Sequence, residues 1–483
     1  MSGRRFVLDD WVRRSDGGRL LAGGAPARLV RLSDAGSRAL DGLLAGESGS
    51  ASQRLQMRLR DAGLIHPLAE RPSAAPLTTV IPVRDGGESL AALVAAARHW
   101  GETIVVDDRS TDGSAERARA AGARVIANDG PPGPAAARNA GLRAAATELV
   151  AFVDADCSVG AGPVPPGSAV AISSAMRGKA RPHSARLPGS DWAPRLAGLL
   201  EDDPGLALAA PRVRSEPGAG AIARYESACS PLDLGAAPSL VGPGRRLAYV
   251  PSTALVARRA ALLELGGFDE RLRFGEDVDL VWRLVAAGWR VRYAAEAEAF
   301  HRPRRSAAAL ARQRFEYGRS AAALDRLHPG EVAPLRLDPY GAATWAAGAA
   351  LGWRGAGAAA ALAIAAVARR GSDTASRRAL AGVAARGQLQ SGRHLARAIV
   401  RDWLPLTALA CAISPRARRV AALAAAVDLA PRPAQAAPLP LLRALDRAAY
   451  AAGLWAGALR ERSPGAIMPR AVRTRGSEAS DER

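Results

Sequence analysis

The chain has 483 residues, which allows roughly two to four domains at about 100–200 residues each. Hydrophobic residues make up 48% and charged residues 23%, a composition that excludes a wholly disordered chain. Three cysteines exclude a disulfide scaffold and a Cys₄ metal site. The net charge of +20 comes almost entirely from arginine, because Lys179 is the only lysine. Such a bias also arises from GC-rich coding, so charge by itself does not indicate nucleic-acid binding.

Residues 1–70 are predicted to form a small separate module. Residues 6–8 and 27–32 are strand-like, and helical patterns follow at about 33–44 and 51–62. Strands followed by short helices over this length favour a winged-helix-like module. A linker rich in Pro, Ser and Ala then leads into the next region.

Apolar strand-like runs alternate with helical runs from residue 77 onward. The predicted strands cover 78–83, 103–107, 124–127 and 149–154, with a helix between each pair. This alternation is typical of βαβ units and a parallel sheet. Parallel sheets bind ligands at the carboxyl ends of their strands, and the polar motifs of this region follow those ends.

The pattern is interrupted at about residues 158–190, where Gly, Pro, Ser and Ala predict a flexible insertion. Beyond it we expect order to resume at 192–200 and 206–213, a strand at 249–256, and the region to close at 293–300. A helix is predicted over 276–287.

The C-terminal region, residues 340–465, is rich in alanine and predicted to be helical, and a disordered tail is expected over 466–483. Residues 341–368 carry one charge, Arg354, and are long enough to span a bilayer. Alanine is only marginally apolar, however, and a charge at mid-span is costly. A packed helical bundle and a membrane span or re-entrant helix therefore both remain open.

Two acidic motifs follow predicted strands. Asp107-Asp108 lies where a carboxylate can accept hydrogen bonds from a nucleotide base or ribose, although Asp-rich turns also cap helices. Asp154-Ala155-Asp156 ends a buried strand, and alternation along that strand would place both carboxylates on one side. Paired carboxylates at this spacing can hold Mg²⁺ or Mn²⁺, which in turn binds a diphosphate.

A third motif, Glu276-Asp277-Val278-Asp279, opens a predicted helix. Acids in a first turn commonly complement the helix dipole. The functional alternative is a general base whose neighbouring acid holds its orientation. The fourth candidate is His301, although a lone histidine is more often packed or exposed than a ligand.

The order and spacing of these motifs resemble the inverting glycosyltransferases of family 2, which have a GT-A fold. The resemblance covers about residues 77–330 and includes the stretches at 79–85, 137–141 and 266–270. It implies an α/β protein with a GT-A (Rossmann-like) core that binds a nucleotide-diphospho-sugar, flanked by the winged-helix-like module and the helical C-terminal region.

Particular residues acquire roles through this resemblance. It implies that Asp277 and Glu276 are catalytic residues, with Asp277 as the base that takes the proton of the acceptor hydroxyl. It also implies that Asp156 binds Mn²⁺ or Mg²⁺, with His301 as a further ligand. It places the following residues at the nucleotide-sugar: Pro82, Val83, Arg84, Asp107, Asp108, Arg138, Asn139 and Asp154.

The N-terminal stretches at 20–24, 28–33 and 63–67 are similar to the N-terminal region of mycofactocin-system glycosyltransferases. The later stretches at 249–252 and 314–318 resemble the same family. This narrower resemblance implies transfer of glucose from UDP-glucose onto a peptide-derived redox cofactor precursor, building a β-linked oligosaccharide. It also implies that the first module recognises a peptide. In that family a short turn follows the Asp-x-Asp-Cys motif, whereas here a long insertion follows Cys157.

Other functions remain open. The basic, alanine-rich region indicates a candidate membrane surface, and the acceptor would then be a lipid-linked or cell-wall glycan. A non-catalytic peptide-binding role is a further alternative, if the insertion disables the site. We expect no nucleic-acid partner, because the arginines show no aromatic interleaving. The chain start lacks the apolar run of a secretory signal, so we expect it in the cytoplasm or on the cytoplasmic side of the membrane.

Overall fold

Short β-branched runs form strands in the first 300 residues, and alanine-rich runs form helices beyond them. The structure is a computed structural model that describes residues 4–24, 26–47, 49, 51–158, 191–429 and 440–471. The predicted insertion, apart from Ser158, lies outside the described residues. So does most of the predicted tail.

The strands alternate with helices in the order expected for βαβ units between residues 78 and 153. In chain order the strands are β1 (Phe6–Leu8), β2 (Arg13–Ser15), β3 (Leu20–Gly23), β4 (Arg28–Arg31), β5 (Ile65–Pro67), β6 (Thr78–Val83), β7 (Thr103–Asp107), β8 (Arg124–Ala127), β9 (Leu149–Val153), β10 (Cys157–Ser158), β11 (Leu206–Ser215), β12 (Ser239–Val241), β13 (Ala254–Arg258), β14 (Arg290–His301), β15 (Arg336–Leu337) and β16 (Arg470–Ala471).

The helices dominate the second half of the chain. They are α1 (Asp34–Ala45), α2 (Gln53–Asp61), α3 (Ser89–Ala97), α4 (Ser114–Ala120), α5 (Pro134–Ala144), α6 (Trp192–Glu201), α7 (Ala221–Cys229), α8 (Arg259–Glu264), α9 (Glu276–Ala286), α10 (Ala307–Leu327), α11 (Pro339–Ala368), α12 (Thr374–Arg397), α13 (Leu404–Ile413), α14 (Pro415–Leu429) and α15 (Pro440–Glu461).

The chain divides into two compact units. The first contains residues 1–10, 38–309 and 437–442, and the second contains residues 11–37, 310–436 and 443–483. Strands β2 to β4 therefore belong to the second unit, whereas β1, α2 and β5 belong to the first. The winged-helix-like interpretation of residues 1–70 stays a prediction.

A mixed nine-stranded sheet forms the centre of the first unit, as the alternating pattern predicts. Its order is β10-β14-β11-β13-β9-β6-β7-β8, and β12 pairs with β14. Strands β9, β6, β7 and β8 are mutually parallel, and Val83 pairs with Asp107 in register. The carboxyl ends of these strands therefore lie along one edge of the sheet.

A continuous apolar core supports this sheet. Buried side chains of β6, β7, β9 and β11 join those of α3 and α6. The ring of Trp100, in the turn after α3, meets the ring of Trp192 in α6 edge to face, with 5.2 Å between the ring centres. The predicted strand at 249–256 begins only at Ala254. The preceding residues form a loop instead, and its backbone contacts the site described below.

The first unit also buries a histidine. Strand β5 pairs with β1, and the Nε2 atom of His66 lies 2.9 Å from Asp9 Oδ2. Arg292 Nη1 lies 3.4 Å from Nδ1 of the same ring. Because a guanidinium only donates, Nδ1 accepts and the Nε2 proton is donated to Asp9. Burial lowers the pKa of His66, Arg292 lowers it further, and Asp9 opposes the change.

We expect this histidine to make the first unit less stable in acid. In the unfolded chain His66 takes up a proton near pH 6.5, whereas in the folded chain it does so only at a lower pH. The free energy of unfolding therefore falls as the pH drops below about 6.5. Urea unfolding followed by tryptophan fluorescence between about pH 7 and pH 5 measures the change. His66→Gln keeps both hydrogen bonds and should flatten the dependence. An equal slope in that variant would assign the loss to other groups.

The second unit combines a small sheet with helices. Strands β2, β3 and β4 form an antiparallel sheet. Arg31 of β4 forms an ion pair with Asp373, the residue that caps α12. Helices α10 and α15 are joined by an ion pair between Arg314 and Asp446 at 3.0 Å.

Helix α11 is not straight, although it is long and apolar enough to cross a membrane by length and composition. Gly352 has φ +70° and ψ −159°, a conformation that breaks the helix and that glycine adopts most readily. Arg370 Nη2 lies 2.9 Å from Tyr340 Oη, whereas 30 residues of straight helix would span about 45 Å. The chain therefore reverses at Gly352 and forms a helical hairpin.

Candidate active site

The ends of β6, β7 and β8 meet around Asp108. This side chain is buried, and its backbone N–H donates to the Val83 carbonyl at 2.8 Å. Its carboxylate accepts from Asn128 Nδ2 at 2.7 Å and from the Gly133 N–H at 2.9 Å. Asn128 was not predicted from the sequence, although a polar residue directly after β8 is a signal of the same kind as Asp108. These bonds fix the loops on either side of a candidate nucleotide site.

Residues around this group differ in their exposure. Arg84 is exposed, Pro82 is half-buried and Val83 is buried, so the arginine is accessible to a ligand. Asp107 accepts from the Ser110 N–H at 3.3 Å and thereby shapes the turn that leads to α4. Five of the residues predicted to bind the nucleotide-sugar are thus brought together at the ends of β6 and β7: Pro82, Val83, Arg84, Asp107 and Asp108. Their contact with a nucleotide stays a prediction.

The two aspartates after β9 do not share one side of a strand. Strand β9 ends at Val153, and a turn closed by the Cys157 N–H donating to the Asp154 carbonyl follows it. Asp154 accepts from Arg138 Nη2 at 2.6 Å, whereas Asp156 lies beside His301. The expectation based on strand alternation was wrong, because the turn breaks the two-residue period.

Asp156 and His301, the two residues predicted to bind a metal, lie side by side. Asp156 Oδ2 lies 3.0 Å from His301 Nε2 and 3.4 Å from Arg304 Nη1. Burial by itself would raise the pKa of Asp156, but His301 and Arg304 outweigh that effect and lower the pKa to about 2. Asp156 is therefore an anion at neutral pH. Arg304 was not predicted from the sequence.

The donor set fits a divalent ion that also binds substrate oxygens. Within the described residues, no three His, Cys, Asp or Glu side chains form a group able to hold a metal by themselves. Asp156 and His301 supply one carboxylate and one imidazole. Mg²⁺ is commonly bound through one or two carboxylates together with substrate phosphates. Such an incomplete protein site therefore fits Mg²⁺ or Mn²⁺ in complex with a diphosphate.

Arg138 of α5 connects the two acidic motifs. Its side chain is buried, with Nη2 bound to Asp154 and Nη1 2.8 Å from Glu276 Oε1. Its guanidinium also lies 5.5 Å from the ring centre of Phe268. Burial by itself would lower the pKa of Arg138, but Asp154, Glu276 and Asp277 raise it. The planar guanidinium thus holds two loops that are far apart in sequence.

Glu276 and Asp277 begin α9, as predicted. Burial and the neighbouring Asp277 raise the pKa of Glu276 to about 7, against the opposing effect of Arg138. Burial also raises the pKa of Asp277, whereas backbone N–H groups and Arg138 oppose it. The Ser252 N–H donates to Asp277 Oδ2 at 3.3 Å. Asp277 is therefore a half-buried, oriented carboxylate of raised basicity, which suits a general base.

The loop before β13 joins these groups. The Asp154 N–H donates to the Thr253 carbonyl at 2.9 Å, next to the Ser252 that contacts Asp277. Asp154 and Asp277 are thus connected through two adjacent backbone positions. Nothing in the sequence pattern predicts this role, because the pattern favours a strand over 249–256.

Asn139 stabilises the loop that leads to α9. Its Oδ1 atom accepts from the Phe268 N–H at 2.8 Å, and Nδ2 donates to the Phe268 carbonyl and to Glu270. Gly267 has φ +73°, and a Cβ at this position would collide with Asn139 Oδ1. The described contacts of Asn139 are therefore with this loop, and its predicted contact with the nucleotide-sugar stays a prediction.

We expect replacement of Arg138 to be strongly destabilising. Arg138→Met leaves buried Glu276 and half-buried Asp154 without their cation, and removal of one partner from a buried pair costs about 3–5 kcal/mol. Urea unfolding of the purified chain measures this. Arg138→Lys should lose less stability than Arg138→Met, because it keeps the positive charge. It should still be less stable than the original chain, because an ammonium group cannot bridge two carboxylates as a guanidinium does. Equal stability of Arg138→Met and the original chain would contradict the bridging role.

Two stretches of the chain match family 2 descriptions. Residues 78–165 match "Glycosyl transferase family 2", and residues 241–318 match "Glycosyltransferase like family 2". These matches include the ends of β6, β7 and β9, the start of α9 and His301. The predicted GT-A fold class is thereby confirmed, together with the mixed sheet and its parallel centre.

Several known proteins are similar in sequence or structure. The chain is 36% identical over 97% of both sequences to "Pre-mycofactocin glycosyltransferase" of Mycobacterium tuberculosis. It is 33% identical to an uncharacterized glycosyltransferase of Mycobacterium bovis over 44% of this chain and 81% of that one. Among solved structures, a mannosyltransferase from Pyrobaculum calidifontis in complex with GDP-Man and Mn²⁺ is 18% identical, with a TM-score of 0.37 over 75% of this chain and 87% of that one.

The similarity to the first of these proteins extends over nearly the whole chain, including the N-terminal stretches and the helical C-terminal region. Together with the arrangement of acids at the sheet edge, it shows that the chain belongs to the pre-mycofactocin glycosyltransferases of glycosyl transferase family 2.

Proposed function

We propose that this glycosyltransferase moves glucose from UDP-glucose onto a mycofactocin precursor with inversion, and so builds a β-linked oligosaccharide. The observation that carries the proposal is the oriented carboxylate of Asp277, linked through the loop at 252–253 to Asp154. The similarity to a pre-mycofactocin glycosyltransferase over 97% of the chain supports this acceptor.

The donor would lie along the sheet edge. Arg84 is exposed there for contact with the nucleotide, and Asp108 is held in place by Asn128 and Gly133. Asp156 and His301 would hold Mn²⁺ or Mg²⁺. When bound, the metal ion neutralises charge on the departing diphosphate.

The acceptor would approach Asp277. Its hydroxyl oxygen attacks the anomeric carbon while the proton passes to the Asp277 carboxylate. The bond between that carbon and the phosphate oxygen breaks, and UDP leaves with the electron pair. Attack opposite the leaving group inverts the anomeric centre. Glu276, bound to Arg138, holds the first turn of α9 in place.

Incubation of the purified chain with UDP-glucose, Mn²⁺ and a synthetic mycofactocin precursor tests the proposal by mass spectrometry. Serial hexose increments support it, and the anomeric proton coupling of the product reports a β linkage. GDP-mannose in place of UDP-glucose tests the donor. Binding of UDP-glucose without hexose increments would contradict the mycofactocin precursor as the acceptor and would favour a lipid-linked or cell-wall glycan. Loss of donor binding would favour the non-catalytic alternative.

A further inference from the structure

The helical second unit exposes large apolar side chains next to arginines at two turns. The first turn is the reversal of α11 at Gly352, where Leu351 is 73% exposed and Trp353 is 80% exposed. The second separates α13 from α14, where Ile413 is 80% exposed. Side chains of this size are normally buried, and exposed apolar clusters commonly mark an interaction surface.

Each turn carries positive charge directly after its apolar residues. Arg354 follows Trp353, and its guanidinium lies 5.4 Å from the centre of the tryptophan ring. Arg416, Arg418 and Arg419, all exposed, follow Ile413 within six residues. Residues 339–429 contain 12 arginines and 3 acidic residues. The turns therefore combine apolar tips with a cationic surround.

The lengths of the helices exclude a span by either half of α11. Residues 339–351 and 353–368 form the two halves, which at 1.5 Å per residue are about 20 and 24 Å long. A bilayer core is about 30 Å thick and requires about 20 apolar residues. A shallow insertion of the turn fits these lengths, because an interfacial segment enters only about 5–10 Å.

Helix α13, which precedes the second turn, is also apolar and exposed. None of its ten residues is buried, and Leu406 and Leu409 are 53% and 65% exposed. Tryptophan prefers the boundary between headgroups and acyl chains, and arginines near an anionic leaflet bind its phosphates. The combination of both features favours a lipid surface over a purely apolar partner.

We propose that the turn at 351–354, together with most of α13 and the start of α14 (residues 406–419), inserts into the surface of an anionic bilayer and binds the enzyme to it without spanning it. The apolar side chains enter the boundary region, and the arginines contact lipid phosphates. This inference goes beyond the glycosyl transfer and does not depend on the donor or the acceptor.

Cosedimentation of the full chain with lipid vesicles tests the proposal. The vesicles contain phosphatidylcholine alone or with about one third phosphatidylglycerol. We expect strong binding to the anionic vesicles and weak binding to the neutral ones, with partial release at high salt. Trp353→Ser and Ile413→Ser should each lower the partition coefficient about tenfold. Failure to bind anionic vesicles would overturn the proposal.

Charge variants separate the two contributions. Arg416→Gln, Arg418→Gln and Arg419→Gln should each weaken binding to anionic vesicles about fivefold and leave binding to neutral vesicles unchanged. Met57→Ser, an exposed apolar position in the first unit, is the matched control and should bind normally. Equal binding by the control and the Trp353→Ser variant would contradict insertion at this turn.

Two spectroscopic measurements separate membrane insertion from unfolding and from self-association. Circular dichroism shows whether each variant is folded. Brominated lipids should quench the fluorescence of the original chain more than that of Trp353→Phe if the ring enters the bilayer. Dimerisation that Ile413→Ser or Trp353→Ser abolishes, without vesicle binding, would instead assign the turns to a second copy of the chain.

Discussion

Asp277→Asn is expected to lower kcat for hexose transfer by about 10²–10⁴, because the variant cannot accept the acceptor's proton. The Val278 N–H donates to Asp277 Oδ1 and the Ser252 N–H to Oδ2, so asparagine keeps one of these two bonds and should cost some stability. The KM for UDP-glucose should change little. UDP release at saturating donor measures the effect.

The pH dependence distinguishes this role from a structural one. Burial raises the pKa of Asp277, so the carboxylate loses its negative charge as the pH falls through that raised value, and activity should fall with it. The residual activity of Asp277→Asn should lack this acidic limb. An unchanged limb, or retained kcat, would contradict the assignment of the base.

Glu276→Gln is the matched control for this experiment. Burial and the neighbouring Asp277 raise the pKa of Glu276, so glutamine, which resembles the protonated acid, should disturb this position less than it would an ordinary carboxylate. It can still accept from Arg138. We therefore expect a loss below tenfold, which corresponds to less than about 1.4 kcal/mol.

Asp156→Asn is expected to remove metal-dependent activity. Stabilisation of the leaving diphosphate by a metal contributes several kcal/mol, which corresponds to a loss of about a thousandfold or more. Asparagine still accepts from His301 but is a poor ligand for a hard cation. Titration of UDP release with Mn²⁺ measures the loss.

A binding measurement keeps this result interpretable. Mn²⁺ should strengthen UDP binding to the original chain but not to Asp156→Asn, whereas binding without metal should be similar in both. Asp61→Asn changes a half-exposed carboxylate whose ion pair with Arg290 lies away from the candidate ligands, and it should respond normally to Mn²⁺. Metal-stimulated turnover in Asp156→Asn would contradict the ligand assignment.

The candidate site shows why spacing predicted its residues better than their contacts. Asp108, Asp154 and Asp277 were found because they directly follow strands or begin a helix, which are local features. The bond from Arg138 to Glu276 joins residues 138 positions apart, and no local period reports such a pair. Arg304 and the Ser252 N–H were missed for the same reason.

The sequence by itself determined the alternation of strands and helices between residues 78 and 153 and the places where acids follow them, because periodic burial is a local property of the chain. Only the tertiary structure decided which of those acids share a partner. Arg138 is bound to Asp154 and Glu276 because the parallel sheet brings separate strand ends together. Likewise, the length and composition of residues 341–368 fit a membrane-spanning helix. The backbone conformation of Gly352 makes this segment a helical hairpin instead, and composition by itself does not report where a helix reverses.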